Sequence, residues 1–209
     1  MQNYITPKNL VYTIYALVLG AVTAAWLQSR SWSFTGFRPY QFLSLLGLTA
    51  FVTMLVHYVA GFVYHLYGKD RDELASYYRI TGIIVFACIL LHPVLIILNL
   101  KALGFGLPPA SYKAYYGQAL LPYIFLGMAA WLAFIAYEFK QKVSQKSWWK
   151  YVLIANDAAM LAIVVHGFHL GTVIRLSWFR KLWGIFFAVL IICLVQKYAY
   201  AYSQKKVGK

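Results

Sequence analysis

Acid is what this chain has least of. Its 209 residues include 5 Asp and Glu, and only 11% are charged at all. A soluble domain of this length carries roughly a quarter charged residues, so an ordinary soluble fold is excluded. Cysteine is scarce as well. Cys88 and Cys193 both fall inside apolar runs, which excludes a disulfide-stapled scaffold. No GxGxxG fingerprint occurs, so nucleotide-dependent chemistry requires a separate subunit. Low-complexity tracts and a second copy of the histidine-bearing pattern are missing too. The opening MQNYITPKNL lacks a charged region followed by a small-residue cleavage site, so the first helix is expected to be retained.

What the chain does have is apolar length: 62% of its residues are hydrophobic and 19% aromatic. Six apolar runs appear, at roughly 9–28, 42–67, 80–100, 119–139, 151–174 and 182–203. Each is about 20 residues, enough to span the hydrocarbon core of a bilayer. The expected fold is an all-α integral membrane protein, a six-transmembrane-helix bundle forming one domain over 1–209.

The formal net charge is +14, from 19 Lys and Arg. In a soluble protein that excess would suggest nucleic acid. On an apolar chain it reads as positive-inside bias and attraction to anionic membrane lipid, with no nucleic-acid partner. Arg30, Arg38, Lys101, Lys113, Arg175, Arg180 and Lys181 fall on one side of the six runs, and the other twelve of the 19 on the opposite side. Both termini are then expected in the cytoplasm, with the chain in a bacterial inner membrane. Trp26, Trp32, Tyr77, Tyr78, Tyr115, Tyr116, Trp148, Trp149, Trp178 and Trp183 read as an aromatic belt at the two interfaces.

Against this background the histidines stand out, because an ionisable group deep in a membrane segment is costly and marks function by default. The third run, RITGIIVFACILLHPVLIILNL, carries His92, and the fifth carries His166 and His169. At the usual helical rise His92 lies about 20 Å from the inner end, His166 roughly 24 Å and His169 roughly 28 Å. Helix tilt absorbs the ~4 Å between His92 and His166. Two neutral imidazoles facing each other at one level are what the iron of a b-type haem needs. His92 and His166 are the candidate axial ligands. His169 is either a haem-edge residue near a propionate or the ligand in place of His166.

The neighbours leave two readings open. Ala158, Ala159, Ala162 and Ile163 lie on the His166 side, where small residues either admit a flat macrocycle or mark tight helix packing. Val85 and Cys88 share the His92 face. Pro93 removes a backbone donor directly after His92. His57 is read as an interhelical hydrogen bond and His65 as interfacial. Asp157, beside Asn156, is either a proton relay or a packing partner.

The segments from Tyr78 to Asn99, LPYIFLGMAAWLAFIAYEF and SWWKYVLIANDAAMLAIVVHGFH resemble the ferric reductase-like transmembrane domain superfamily. Its relatives include the haem subunit of the bacterial methionine sulfoxide reductase system, the NADPH oxidases and the single-haem metalloreductases. The resemblance covers roughly 78–174 and rests on Leu91-His92, on Pro122, Tyr123 and Gly127, and on Trp149 with His166. It implies haem b and transmembrane electron transfer. Two-haem members carry an inner histidine pair, and here Tyr78, Arg79, Val152, Leu153 and Asn156 stand in those places. One haem is therefore implied, with a quinone or flavin to feed it. The loop KQKVSQKSWWK could stack and neutralise a flavin or phosphate-bearing partner, or simply be a positive-inside loop.

Two functions follow as expectations. One is an oxidoreductase subunit that passes electrons from quinol, or from a cytoplasmic flavin/NAD(P)H partner, through one haem to an acceptor outside. The other is a haem-free transporter subunit or assembly factor whose histidines handle metal or protons.

Overall fold

A computed structural model describes residues 6–139 and 144–207. Six long helices carry the chain back and forth. They are α1 (Pro7–Ser29), α2 (Phe42–Leu66), α3 (Ala75–Ala102), α5 (Leu121–Glu138), α6 (Trp149–Leu170) and α7 (Ser177–Val207). A short α4 (Ala110–Tyr116) lies between α3 and α5. No strand occurs among the described residues. In lipid every backbone N–H and C=O must find a partner inside the chain, and a helix satisfies its own.

The fold is an integral membrane helix bundle. Large apolar side chains face outward along its length: Leu17 at 68% exposure, Ile83 at 67% and Leu132 at 61%. Such an apolar surface would be untenable in water and is ordinary against lipid tails. Between helices the packing is tight, with Phe51, Leu55, Met160, Phe179 and Leu190 buried in a common core.

α2 is the hub and packs against α1, α3 and α7. α5 and α6 form the most extensive pair. The bundle is thus two units, one built around α2 and one from α5 with α6. With six long helices running back and forth, the start of α1 and the end of α7 lie at one end, called here the termini end. His92 and His166 lie toward the other. That histidine end is closed by α4, whose Tyr112 packs with Leu100 and Ile124. Burial pushes the Tyr116 phenol of α4 up to about 12.

The helix ends differ from the sequence expectation in instructive ways. α3 starts at Ala75, so Tyr77, Tyr78 and Arg79 are helical rather than loop. α6 stops at Leu170 and not at 174. Gly171 leaves the helix with extended geometry, its N–H held by the Gly167 carbonyl. Val173 and Ile174 then bury in the core as part of a 3₁₀ turn, which explains why they looked like membrane span. Three members of the expected aromatic belt are not at the surface: Trp26, Tyr77 and Trp183 are buried. Each indole found a carbonyl instead of water, Trp26 Nε1 at 3.0 Å from Gln41 O and Trp183 Nε1 at 3.1 Å from Val164 O.

Candidate functional site

α3 presents His92 to the first turn of α2, where its Nδ1 lies 2.8 Å from the Leu43 carbonyl oxygen. α6 presents His166 to the first turn of α5, where its Nδ1 lies 2.9 Å from the Tyr123 carbonyl oxygen. A carbonyl only accepts, so each Nδ1 carries the proton. The lone pair of each ring is then on Nε2. Neither Nε2 makes a hydrogen bond among the described residues.

The two docking sites are built alike. Four residues after each accepting carbonyl stands a glycine, Gly47 on α2 and Gly127 on α5. A helical side chain leans toward the N-terminus, over the carbonyl four residues earlier. Glycine leaves that carbonyl uncovered and lets the ring approach. A Cβ on Gly47 would stand 2.9 Å from His92 Cε1, and one on Gly127 would collide with the His166 ring. Leu43 and Tyr123 are the second and third residues of their helices, so the imidazoles dock at matching levels.

The two histidines belong to different units, His92 docked on α2 and His166 on α5. α3 and α6 are not among the principal packing pairs. Each unit thus holds one half-buried imidazole in a set tautomer with Nε2 free of hydrogen bonds among the described residues. This donor set fits the axial positions of a haem iron, which takes neutral imidazole nitrogen. A backbone carbonyl on the other ring nitrogen is the usual way a ligating histidine is oriented. Among the described residues no group of three His, Cys, Asp or Glu gathers for a metal ion.

Pro93 joins the units at this level. It has no N–H, so the Ile89 carbonyl four residues back loses its helical donor. The Trp131 indole of α5 takes the place, with Nε1 at 2.8 Å from Ile89 O. α3 runs on unbroken through Pro93. Cys88 and Val85, on the same side of α3, are buried in the core.

His169 does something else. Its ring lies flat on Tyr123, centroids 3.6 Å apart and planes at 9°, while its Nδ1 turns back to Val165 O at 2.9 Å. It is exposed on the surface of the bundle. Tyr123 therefore serves both histidines, His166 with its backbone and His169 with its ring. His57 donates from Nε2 to the Thr81 hydroxyl at 2.7 Å, because that hydroxyl spends its own proton on Tyr77 O. His65 is exposed at the termini end, against Tyr200.

Asp157 is the centre of a second polar cluster, in the half of the bundle nearer the termini. It is 4% exposed and accepts from Tyr58 at 2.7 Å, from Tyr198 at 2.7 Å and from Lys197 Nζ at 2.6 and 2.8 Å. Asn156 donates to Tyr58 at 3.4 Å. α2, α6 and α7 are thereby locked together. Of the basic loop, Lys140 and Lys142 lie outside the described residues, and Trp149 stacks on Tyr137 at 5.8 Å.

Sequence reasoning reached His92, His166, Tyr123 and Gly127 but missed Leu43 and Gly47. The available signal was a glycine inside an apolar run, one turn from the histidine end. Lys197, counted only as a tail charge, is in fact the partner of Asp157. Comparison with family models, with curated proteins and with solved structures finds no match.

Proposed function

We propose that the chain is a membrane b-type cytochrome, with one haem held by His92 and His166, in a bacterial inner membrane with both termini cytoplasmic. The observation that carries this reading is the paired docking: two imidazoles at one level, each with Nδ1–H on a backbone carbonyl and Nε2 free. When bound, haem would supply one-electron transfer in the half of the membrane away from the termini. The chain's own residues do the positioning. Leu43 O and Tyr123 O hold the tautomers, Gly47 and Gly127 admit the rings, and Trp131 ties the two units at that depth. Electrons would come from quinol or a flavin/NAD(P)H partner, since the chain has no dinucleotide fingerprint of its own. The resemblance to the ferric reductase-like superfamily supports the same assignment.

One observation favours the haem-free reading. Each histidine already makes a helix-to-helix hydrogen bond, which a packing role alone would explain. A haem-free transporter subunit or assembly factor would use them so. The absorption spectrum of the purified protein separates the two. A Soret band that sharpens with dithionite, and that is lost in both His92→Ala and His166→Ala but kept in His169→Ala, is the expected result. A colourless protein that takes up no added haemin overturns the proposal.

A further inference from the structure

At the termini end, a pocket of about 370 Å³ is lined by His65, Lys69, Asp70, Arg71 and Tyr200. It collects the end of α2, the loop into α3, and α7. Neither the haem nor its ligands enter into it. Two permanent cations and a histidine face one carboxylate. The next acids along, Asp72 and Glu73, do not line the pocket, and Glu73 accepts from the Tyr64 hydroxyl at 3.2 Å. The one ion pair among the described residues is Lys197 with Asp157, so Lys69 and Arg71 have no carboxylate partner there.

Lys69 alone would be unremarked, because a cation just past a helix C-terminus compensates the helix dipole. Arg71 is different. Its guanidinium is turned back along α2 to Gly61, with Cζ 3.2 Å from where a Cβ would stand. It lies beside the half-buried Tyr78 phenol and interacts with its oxygen. A glycine that makes room for a guanidinium with no carboxylate partner, beside a second cation, is a seat for an anion. The planar fork of arginine matches phosphate with two parallel hydrogen bonds. Tyr200, edge-on to His65 with centroids 4.5 Å apart, walls the opposite side. The volume leaves space for the glycerol or sugar that carries the phosphate.

We infer that this pocket binds a phosphate group at the membrane interface, with Arg71 as its principal contact and Lys69 as a second. Two sources share that chemistry, an anionic lipid head group and a soluble phosphate. The test compares wild type with Arg71→Gln and Lys69→Gln. In one arm, phosphatidylglycerol retained by the protein is counted by native mass spectrometry after extraction from vesicles of phosphatidylglycerol and phosphatidylcholine. In the other, the apparent unfolding temperature is followed against inorganic phosphate at constant ionic strength, since a ligand of the folded state raises it. Wild type retaining a phosphatidylglycerol that Arg71→Gln releases, with about 10-fold weaker binding in the variant, marks a lipid site. A phosphate-dependent rise seen in wild type and lost in Arg71→Gln marks a soluble ligand. Lys69→Gln, on an exposed residue, gives the same loss in smaller measure and serves if Arg71→Gln does not fold. Variants matching wild type in both arms overturn the inference. The Soret band is recorded on the same samples and is unaffected by either substitution, so failure here is distinct from failure of the haem reading.

Discussion

A glycine four residues along from a helical carbonyl decides whether that carbonyl can serve a neighbouring side chain. Gly47 and Gly127 do this for His92 and His166. The imidazole gains a hydrogen bond, and the carbonyl, still bonded within its helix, accepts a second on its other lone pair. The backbone thereby selects the tautomer, which no side-chain partner in the vicinity does. A methyl group at either glycine must push the ring away. Gly127→Ala should lower haem content per chain nearly as far as His166→Ala, because its Cβ overlaps the ring. Gly47→Ala should lower it less, since its clash is with one ring carbon at 2.9 Å. Gly82→Ala is the control, with nothing within 4 Å of its Cβ. A pyridine haemochrome assay on the three variants checks the order. Equal haem in Gly127→Ala and wild type would show that the His166 ring is not held where the structure places it.

At the scale of elements, Pro93 turns a local defect into an interhelical bond. The carbonyl it orphans on Ile89 lies in a low-dielectric interior, where an unpaired acceptor costs about 1–3 kcal/mol. Trp131 from α5 relieves it at 2.8 Å. Trp131→Phe should therefore lower stability by about that much, measured as loss of folded protein on heating in detergent. In a Pro93→Ala background residue 93 again has an N–H to offer Ile89 O, and the same substitution should cost less. The pair is then non-additive in a double-mutant cycle, whereas two unrelated substitutions would add. Additive losses would mean that the indole contributes packing alone. Pro93 was legible in the sequence as a missing donor. The residue that answers it was not, because nothing in linear order connects Trp131 to Ile89. The same holds for Leu43, whose side chain is irrelevant to its role as a carbonyl. Docking onto backbone leaves no residue-type signature, so only the glycine beside it could have been noticed.

At the scale of the whole molecule, the six spans were legible because a bilayer imposes one length on every crossing. The helical rise put His92 and His166 near one depth, and each docks in the first turn of a neighbouring helix, on its second and third residue respectively. The half nearer the termini was harder to read, since Tyr58, Asp157, Lys197 and Tyr198 come from three helices. That half bears on how much haem the proposed cytochrome would hold. Of its five histidines, His57 is committed to Thr81, His65 is exposed beside Tyr200, and His169 lies on Tyr123. The ground between α2, α6 and α7 is filled by the Asp157 cluster, with an ion pair and two phenols. Among the described residues no second pair of imidazoles is docked on backbone carbonyls of neighbouring helices as His92 and His166 are. The expected stoichiometry is one haem per chain, read as haemochrome against quantitative amino-acid analysis. His57→Ala should leave that ratio unchanged while loosening the α2–α3 contact, and His65→Ala should leave it unchanged outright. Two haems per chain, or a ratio halved by His57→Ala, would require a ligand set other than His92 and His166.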